Sequence, residues 1–511
     1  MRLVPRATGT VAVGGLHDYF GAVELRSAPD GMVVVNRLPL ERYLLGLNEV
    51  PPRWPRAALE AQAIAARTYA LWSLARPRAG AAAVYGFDIC ATDQCQVFSG
   101  ADVVREAFLG DRWAAAVEAT EGKAVTYGGE PILARYHSTS GGQTFANEDI
   151  FPSDGSFPYL QPVESVTEEG SPLYRWNVRF RLRRLDRILR RSDLYDRGRL
   201  RQVVTVPSAE GLHFPDVLLK GRKGVERISA EQFRVAVRVL APQMFPNRYP
   251  STAPTSSGRL PETLPSNRIA IATTGGAVVV TGRGWGHGVG MSQWGAEGLA
   301  RRGAGAQEIL SHYYTGTEIA EVADRGAIEV GVAWGLHRVS ATGDFKIVDA
   351  RGATVVANAL GTWGFRRAGT GAVAIDPPRG FGLPLRVGIV AAPERVEIGE
   401  SVPVTIALSR PARVSVADEG GSEVLGAGRR RVVWQAPAVV GDHRVTIVAD
   451  DGRRKRRAST IVAVEEPAVE EAAEATPEAE EESDPPLPLA FGALALLIAV
   501  ALAAGKVTMG R

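Results

Sequence analysis

Residues 43–71 read YLLGLNEVPPRWPRAALEAQAIAARTYAL. A short apolar run reaches one acid, Glu49, and a proline-rich corner follows (Val50, Pro51, Pro52, Arg53, Trp54). Pro55 suits the first turn of a helix, where a missing N–H leaves nothing unpaired. Ala57, Ala58, Ala61, Ala63, Ala65, Ala66 and Ala70 are strong helix formers. Their small side chains let neighbouring backbone approach on almost every face, which predicts a central, buried helix. Gln62 and Arg67 sit inside that alanine field, and buried polar groups need partners. Glu49 is then either the partner of Arg67 or a chemical group in its own right.

Working outward, residues 8–40 alternate as strands (Thr10–Val13, Val23–Leu25, Met32–Val35), with Pro29-Asp30-Gly31 as a turn. Residues 84–100 read as a loop. Helical patterns cover 112–123, 182–191, 231–240 and 307–314, the third following a Ser229 cap. Glu130–His137 reads as a strand leading into Ser138-Thr139-Ser140-Gly141-Gly142. Further strands are expected at 202–206, 216–219, 268–273 and 277–281. The glycine-rich stretch 282–303 follows. Residues 328–384 are strand-like, and 392–464 carry short alternating strands at immunoglobulin-sandwich spacing. The fold class is therefore α+β.

Of the 59 Lys and Arg and 56 Asp and Glu in the 511-residue chain, ten of the acids and none of the bases lie in 465–484. The part before it is basic and suits an anionic partner. That acidic stretch has no core residues and reads as a disordered linker. Residues 487–505 are uncharged and apolar. At ~1.5 Å per residue they reach roughly 28 Å, enough to span a thin bilayer core. Lys506 and Arg511 follow the span and acids precede it, which puts the body outside the cell membrane and the 506–511 tail in the cytoplasm. Export is then expected, although Met1–Gly15 shows no hydrophobic signal-peptide core.

Chemistry is expected in three places besides Glu49. Gly282–Gly295 interleaves glycines with Arg283, Trp285, His287, Ser292, Gln293 and Trp294. It lacks the Gly-Lys-Ser/Thr ending of a phosphate loop. His287 admits three readings: a structural histidine, a sugar contact or a metal ligand. Ser138, Ser140 and Ser292 have no nucleophile elbow around them. Cys90 and Cys95 admit a small disulfide loop or two buried thiols, and two cysteines alone make no zinc site. A standard glycosidase needs two carboxylates. Lytic transglycosylation needs one: the acid protonates the glycosidic oxygen, then takes the proton of the sugar's own C6 hydroxyl. An apolar enclosure would raise the pKa of that acid, and the Leu47 and Val50-Pro51-Pro52 surroundings of Glu49 meet that demand.

Four blocks in order carry a resemblance: 40–71, DICATDQCQVFSG (88–100), ARYHSTSGGQTFANEDIFPSDGSFPYLQPV (134–163) and GRGWGHGVGMSQWGAEGLARRG through EILSHYYTGTEI (282–319). Together they resemble the SpoIID/LytB family over roughly residues 8–320. The resemblance implies a SpoIID-like catalytic body at 1–325, with a variable subregion at 165–265. After it come a β-rich segment (326–390), the sandwich (391–464), the linker (465–486) and the span. It implies a lytic transglycosylase that cuts peptidoglycan between N-acetylmuramic acid and N-acetylglucosamine in strands stripped of stem peptides. The alternative is a non-catalytic enhancer of a cell-wall amidase. Glu49 matches the catalytic acid, in Glu-Val-Pro rather than the usual Glu-Met-Pro. Arg67 matches a supporting helix arginine, and Tyr136 and His137 match polar cleft positions. Gln62, Ser138, Trp285, His287 and Gln293 complete the expected substrate-binding set. Some members hold zinc; here Ser-Thr-Ser follows His137, and neither a metal nor a cofactor is expected. The expected partners are glycan strands, an amidase and the membrane, not nucleic acid.

Overall fold

The computed structural model describes residues 1–467, apart from 7–8, 106–109, 210–213, 256–257, 262, 324 and 370. The expected span at 487–505, its tail and nearly all of the linker lie outside the described residues. Among the described residues no helix is long and apolar enough to cross a membrane. About 21% helix and 41% strand make the chain mixed α+β.

The alanine helix runs Arg56–Leu74, with Pro55 as its extended N-cap rather than inside its first turn. It separates two hydrophobic cores. Ala58, Leu59, Ala63, Ala66, Ala70 and Leu71 face one, built on the N-terminal strands. Ala61, Ile64 and Ala65 face the other, built on the middle of the chain. Packed around the helix are Gly110–Ala119, Lys123–Tyr127, Gln293–Arg301 and Ala306–Tyr313. Alanine on both faces is what allows this: no other apolar residue would let four elements approach one helix so closely.

The first core lies under a ten-stranded sheet, and here the expected boundary at 325/326 gives way. Ala327–Leu336 pairs antiparallel with Gly31–Pro39, and Arg338–Val348 pairs with Arg2–Pro5. The 326–390 segment thus supplies strands to the N-terminal sheet instead of standing apart. Strand pairing between positions 288 to 346 residues apart leaves no local signal.

The second core gathers the subregion 165–265. Its helix Ala230–Met244 carries the expected Ser229 cap as a full capping box: Gln232 N–H donates to the Ser229 hydroxyl, and Ser229 N–H donates back to the Gln232 side chain. Glu130–His137 is not one strand but two short ones, Glu130–Pro131 and Tyr136–His137. The second pairs parallel with Met291–Ser292, so Tyr136 meets Met291 and His137 meets Ser292. From Val387 to Glu465 a three-stranded and a five-stranded sheet close on a separate core of Val404, Ile406, Trp434, Val445, Ile447 and their neighbours.

The stretch 282–303 is only half loop. Gln293–Arg301 is a helix capped by Ser292. Gly295 and Gly298 disguise it, because glycine is a poor helix former. They are there for clearance: a Cβ on Gly295 would lie 1.9 Å from the Tyr313 hydroxyl, and one on Gly298 2.0 Å from the Thr167 carbonyl.

Candidate active site

Glu49 follows the short helix Leu40–Leu45 and is laced to the segment behind the cysteines. Asn48 N–H donates to the Val97 carbonyl (2.8 Å), and Val97 N–H donates to Glu49 Oε1 (2.7 Å). Cys90 and Cys95 form a disulfide, with Cα atoms 5.4 Å apart. It braces the turn that presents Gln96 and Val97.

A buried polar chain converges on the carboxylate. Tyr43 O–H donates to Gln96 Oε1 (2.8 Å). Gln96 Nε2 donates to the Tyr136 oxygen (2.8 Å) and the Ala66 carbonyl (3.3 Å). Tyr136 O–H in turn donates to Glu49 Oε1 (3.0 Å). The Gln293 side chain also hydrogen-bonds Glu49, and its Nε2 donates to Gln62 Oε1 (3.4 Å). Gln62 Nε2 has no partner among the described residues. Each donor direction is forced by the next.

Burial pushes the Glu49 carboxyl up to about 7, although the hydrogen bonds from Val97, Tyr136 and Gln293 all pull it down. Asp93, in the disulfide loop and paired with Arg238 at 2.8 Å, adds a lesser upward push. Burial, then the charge of Glu49, holds the Tyr136 hydroxyl well above its ordinary range, so it remains an O–H donor. Glu49 keeps a partly exposed surface. The group can therefore meet a ligand and exchange its proton near neutral pH.

Arg67 does not meet Glu49. Its guanidinium forks onto Glu41, Nε to Oε1 and Nη2 to Oε2, both at 2.7 Å. It also donates to the carbonyls of Lys123 and Val117. The reading of Glu49 as the partner of Arg67 is thereby corrected. Arg67 ties together Leu40–Leu45, Gly110–Ala119 and Lys123–Tyr127 instead.

The other expected residues form the neighbouring wall. Gly284 and Gly290 take positive φ (83° and 71°), and a Cβ on either would strike the Thr139 or Arg135 carbonyl. The glycine loop therefore lies flat on 134–145. Trp285 N–H donates to the Thr139 carbonyl, and the Ser138 carbonyl accepts from Trp294 N–H. Trp294 meets Trp54 of the proline corner edge-on, with ring centroids 5.0 Å apart. His137 Nε2 lies 2.9 Å from Ser140 Oγ, and Nδ1 lies 3.1 Å from the Val289 carbonyl. Burial lowers His137 to about 4. His287 packs 5.4 Å from it and 5.4 Å from Phe151, and is also held well below its ordinary range by burial and the neighbouring cations. The His137–Ser140 pair is poorly placed for hydrolysis: Ser140 is buried, and burial makes His137 a weaker base. Among the described residues no group of three or more His, Cys, Asp or Glu could hold a metal ion.

Glu168 escaped sequence reasoning entirely. Fully buried, it accepts from the N–H groups of Ser140, Gly141 and Gly142 and from Ser165 Oγ, at 2.8–3.1 Å. It shapes the Ser138–Gly142 loop from beneath, and no local pattern marks it. Gln96 was missed too, although its place beside Cys95 in a resembling block was a usable signal. Two concavities, ≈430 Å³ beside Trp294 and Glu297 and ≈310 Å³ beside Glu60 and Lys123, do not include Glu49.

Residues 29–127 match the family model described as SpoIID, stage II sporulation protein. The chain is 30% identical over 326 residues to stage II sporulation protein D of Bacillus subtilis (strain 168), covering 59% of this chain and 82% of that one. It is 30% identical over 302 residues to the protein of the same name from Bacillus amyloliquefaciens, covering 56% and 76%. It is also 28% identical over 297 residues to the amidase enhancer of Bacillus subtilis (strain 168), covering 53% and 39%.

Proposed function

We propose, from the premise that the chain belongs to the SpoIID/LytB family, that it is a lytic transglycosylase of peptidoglycan glycan strands with Glu49 as its acid. The observation that carries this reading is the Glu49 carboxyl raised to about 7 while it faces three hydrogen-bonding groups and keeps a partly exposed surface. Protonated Glu49 donates to the oxygen of the bond between N-acetylmuramic acid and N-acetylglucosamine. That C–O bond breaks, and the departing sugar leaves as an alcohol. The resulting carboxylate accepts the proton of the muramic C6 hydroxyl as its oxygen bonds to C1. The product is an anhydro sugar, and the proton is back on Glu49. Val97, Tyr136 and Gln293 stabilise the carboxylate between the two steps. Trp285 and Trp294, both half-buried, offer ring faces to sugars, and the buried Trp54 backs Trp294. The 387–465 unit, read as an immunoglobulin-like spacer, and the 487–505 segment, read as a membrane anchor, would hold this body over the wall, outside the cell.

The test is product analysis on glycan strands stripped of peptides. Anhydro ends should appear with the full chain and disappear with Glu49→Gln. The likeness to an amidase enhancer favours a second reading, in which the chain binds the wall and stimulates an amidase. That reading predicts undiminished stimulation by Glu49→Gln and no anhydro product from either protein.

A further inference from the structure

The subregion 165–265 contributes a surface that no part of this mechanism uses. Its strand Arg175–Arg181 forms one edge of a three-stranded antiparallel sheet with Ala277–Arg283 and Ile269–Thr274. Arg175, Asn177, Arg179 and Arg181 are exposed and alternate with Trp176, Val178 and Phe180, which turn toward the core. The register sets Arg175 directly opposite Arg283, which is also exposed. Like charges directly opposite across a sheet are destabilising. Arg268 is close enough to Arg283 for their charges to repel, and is itself engaged with the carbonyls of Ser140 and Gln143.

Some cations of the subregion are neutralised, Arg190 by Asp186, Arg197 by Glu226 and Arg227 by Asp216, whereas others such as Arg183, Arg187 and Arg191 form no ion pair among the described residues; what sets the strand arginines apart is their alignment on one face. None of Arg175, Arg179, Arg181 and Arg283 forms an ion pair among the described residues. Folding alone gives no reason to align them. Alternate residues on one strand face stand about 6.8 Å apart, so the row is a linear array rather than a point site. It also has a direction. Arg283 leads straight into the glycine loop, its Cβ lies 2.6 Å from where a Cβ on Gly141 would stand, and Trp285 two residues on is paired with Thr139. The row therefore ends at the wall beside Glu49.

We propose that Arg283, Arg175, Arg179 and Arg181 form a track that binds the carboxylates of a glycan strand and feeds it to the Glu49 site. The inference rests on the transglycosylase reading above. Removing the peptide from muramic acid leaves a free lactyl carboxylate on every second sugar; an attached peptide masks it as an amide. A guanidinium fork matches a carboxylate in shape and charge. The track would then select stripped strands by their exposed carboxylates.

The experiment compares the full chain with Arg175→Gln/Arg283→Gln and with Arg179→Gln/Arg181→Gln. The substrates are stripped glycan and the same glycan with its carboxyls converted to methylamides. At low salt each double variant should raise KM for stripped glycan about three- to tenfold, with a smaller effect on kcat. The gap should close in high salt and on methylamidated glycan. Arg175→Gln/Arg283→Gln should melt no lower than the parent, because it removes a repulsion. Equal KM for parent and variants, or a gap that survives methylamidation, overturns the track while leaving the enzyme reading intact. If the parent cuts nothing, binding of fluorescent stripped glycan is read instead: loss in the variants sustains the track although the enzyme reading fails. Equal binding by parent and variants overturns it. Polyglutamate bound as tightly, with the same dependence on the four arginines, overturns the glycan assignment.

Discussion

The two walls around Glu49 bury polar groups to opposite ends. On the helix side, residues 43–97 and Tyr136 aim donors at one carboxylate, and its pKa rises to about 7. On the glycine-loop side, His137 is buried and His287 half-buried, both as neutral rings, and their pKa values fall. The same desolvation acts on both. Its sign follows the charge of the ionised form, so it keeps a carboxyl protonated up to neutral pH on one wall and keeps imidazoles uncharged on the other. On the proposed reading the helix side carries the acid, while the glycine-loop side carries shape and one donor, Gln293.

The widest gap between the walls should come from Glu49→Gln, which should lower turnover on stripped glycan about 10²–10⁴-fold, the range expected for a lost general acid. His287→Gln should leave the pH dependence of turnover in place and lower the melting temperature instead. A stability cost of comparable size should come from Glu41→Gln, which leaves Arg67 buried without its countercharge. A loss of about 3 kcal/mol by denaturant melts is expected, with the pH profile of activity unmoved; a moved profile would tie Arg67 to the site after all.

The walls should also separate on a pH axis. Glu49 has a folded pKa above its unfolded value. Its contribution to stability is complete below about 4.5 and is lost as pH rises through about 7. Glu49→Gln should therefore match the parent in stability in mild acid and exceed it at pH 8, by about 3 kcal/mol. The histidines behave in reverse. The folded pKa of His137 is lowered, so its contribution is present above about 6.5 and is lost as pH falls toward 4. Parallel slopes on the two sides would break the comparison. The smallest effect is expected from Tyr136→Phe. Without that donor the carboxylate is less stabilised, so the alkaline limb of kcat/KM should move upward by up to about one pH unit, with turnover reduced about tenfold.

The helix wall was legible because its signals are local: alanine spacing, a proline corner and one acid. The disulfide was one of two readings, and geometry chose it. Arg67 shows where that logic fails. A buried arginine and a nearby acid suggested a pair, but the guanidinium is taken by Glu41. The glycine wall was legible as a place but not as a shape. Gly295 and Gly298 read as loop residues, although they are there so that the helix can touch Tyr313 and Thr167. Glu168 had no signature, since its partners are backbone N–H groups of a distant turn. The sheet closure from Arg2 to Val348 was invisible for the same reason of distance.

If one carboxyl runs both proton transfers, water is never admitted to the sugar. Cleavage of stripped glycan in isotopically labelled water, read by mass spectrometry of the new ends, puts this to the test. Anhydro ends free of solvent oxygen are expected from the parent, and no new ends from Glu49→Gln. Labelled oxygen at C1 of the released muramic ends, or anhydro ends made at the parental rate by Glu49→Gln, would contradict it.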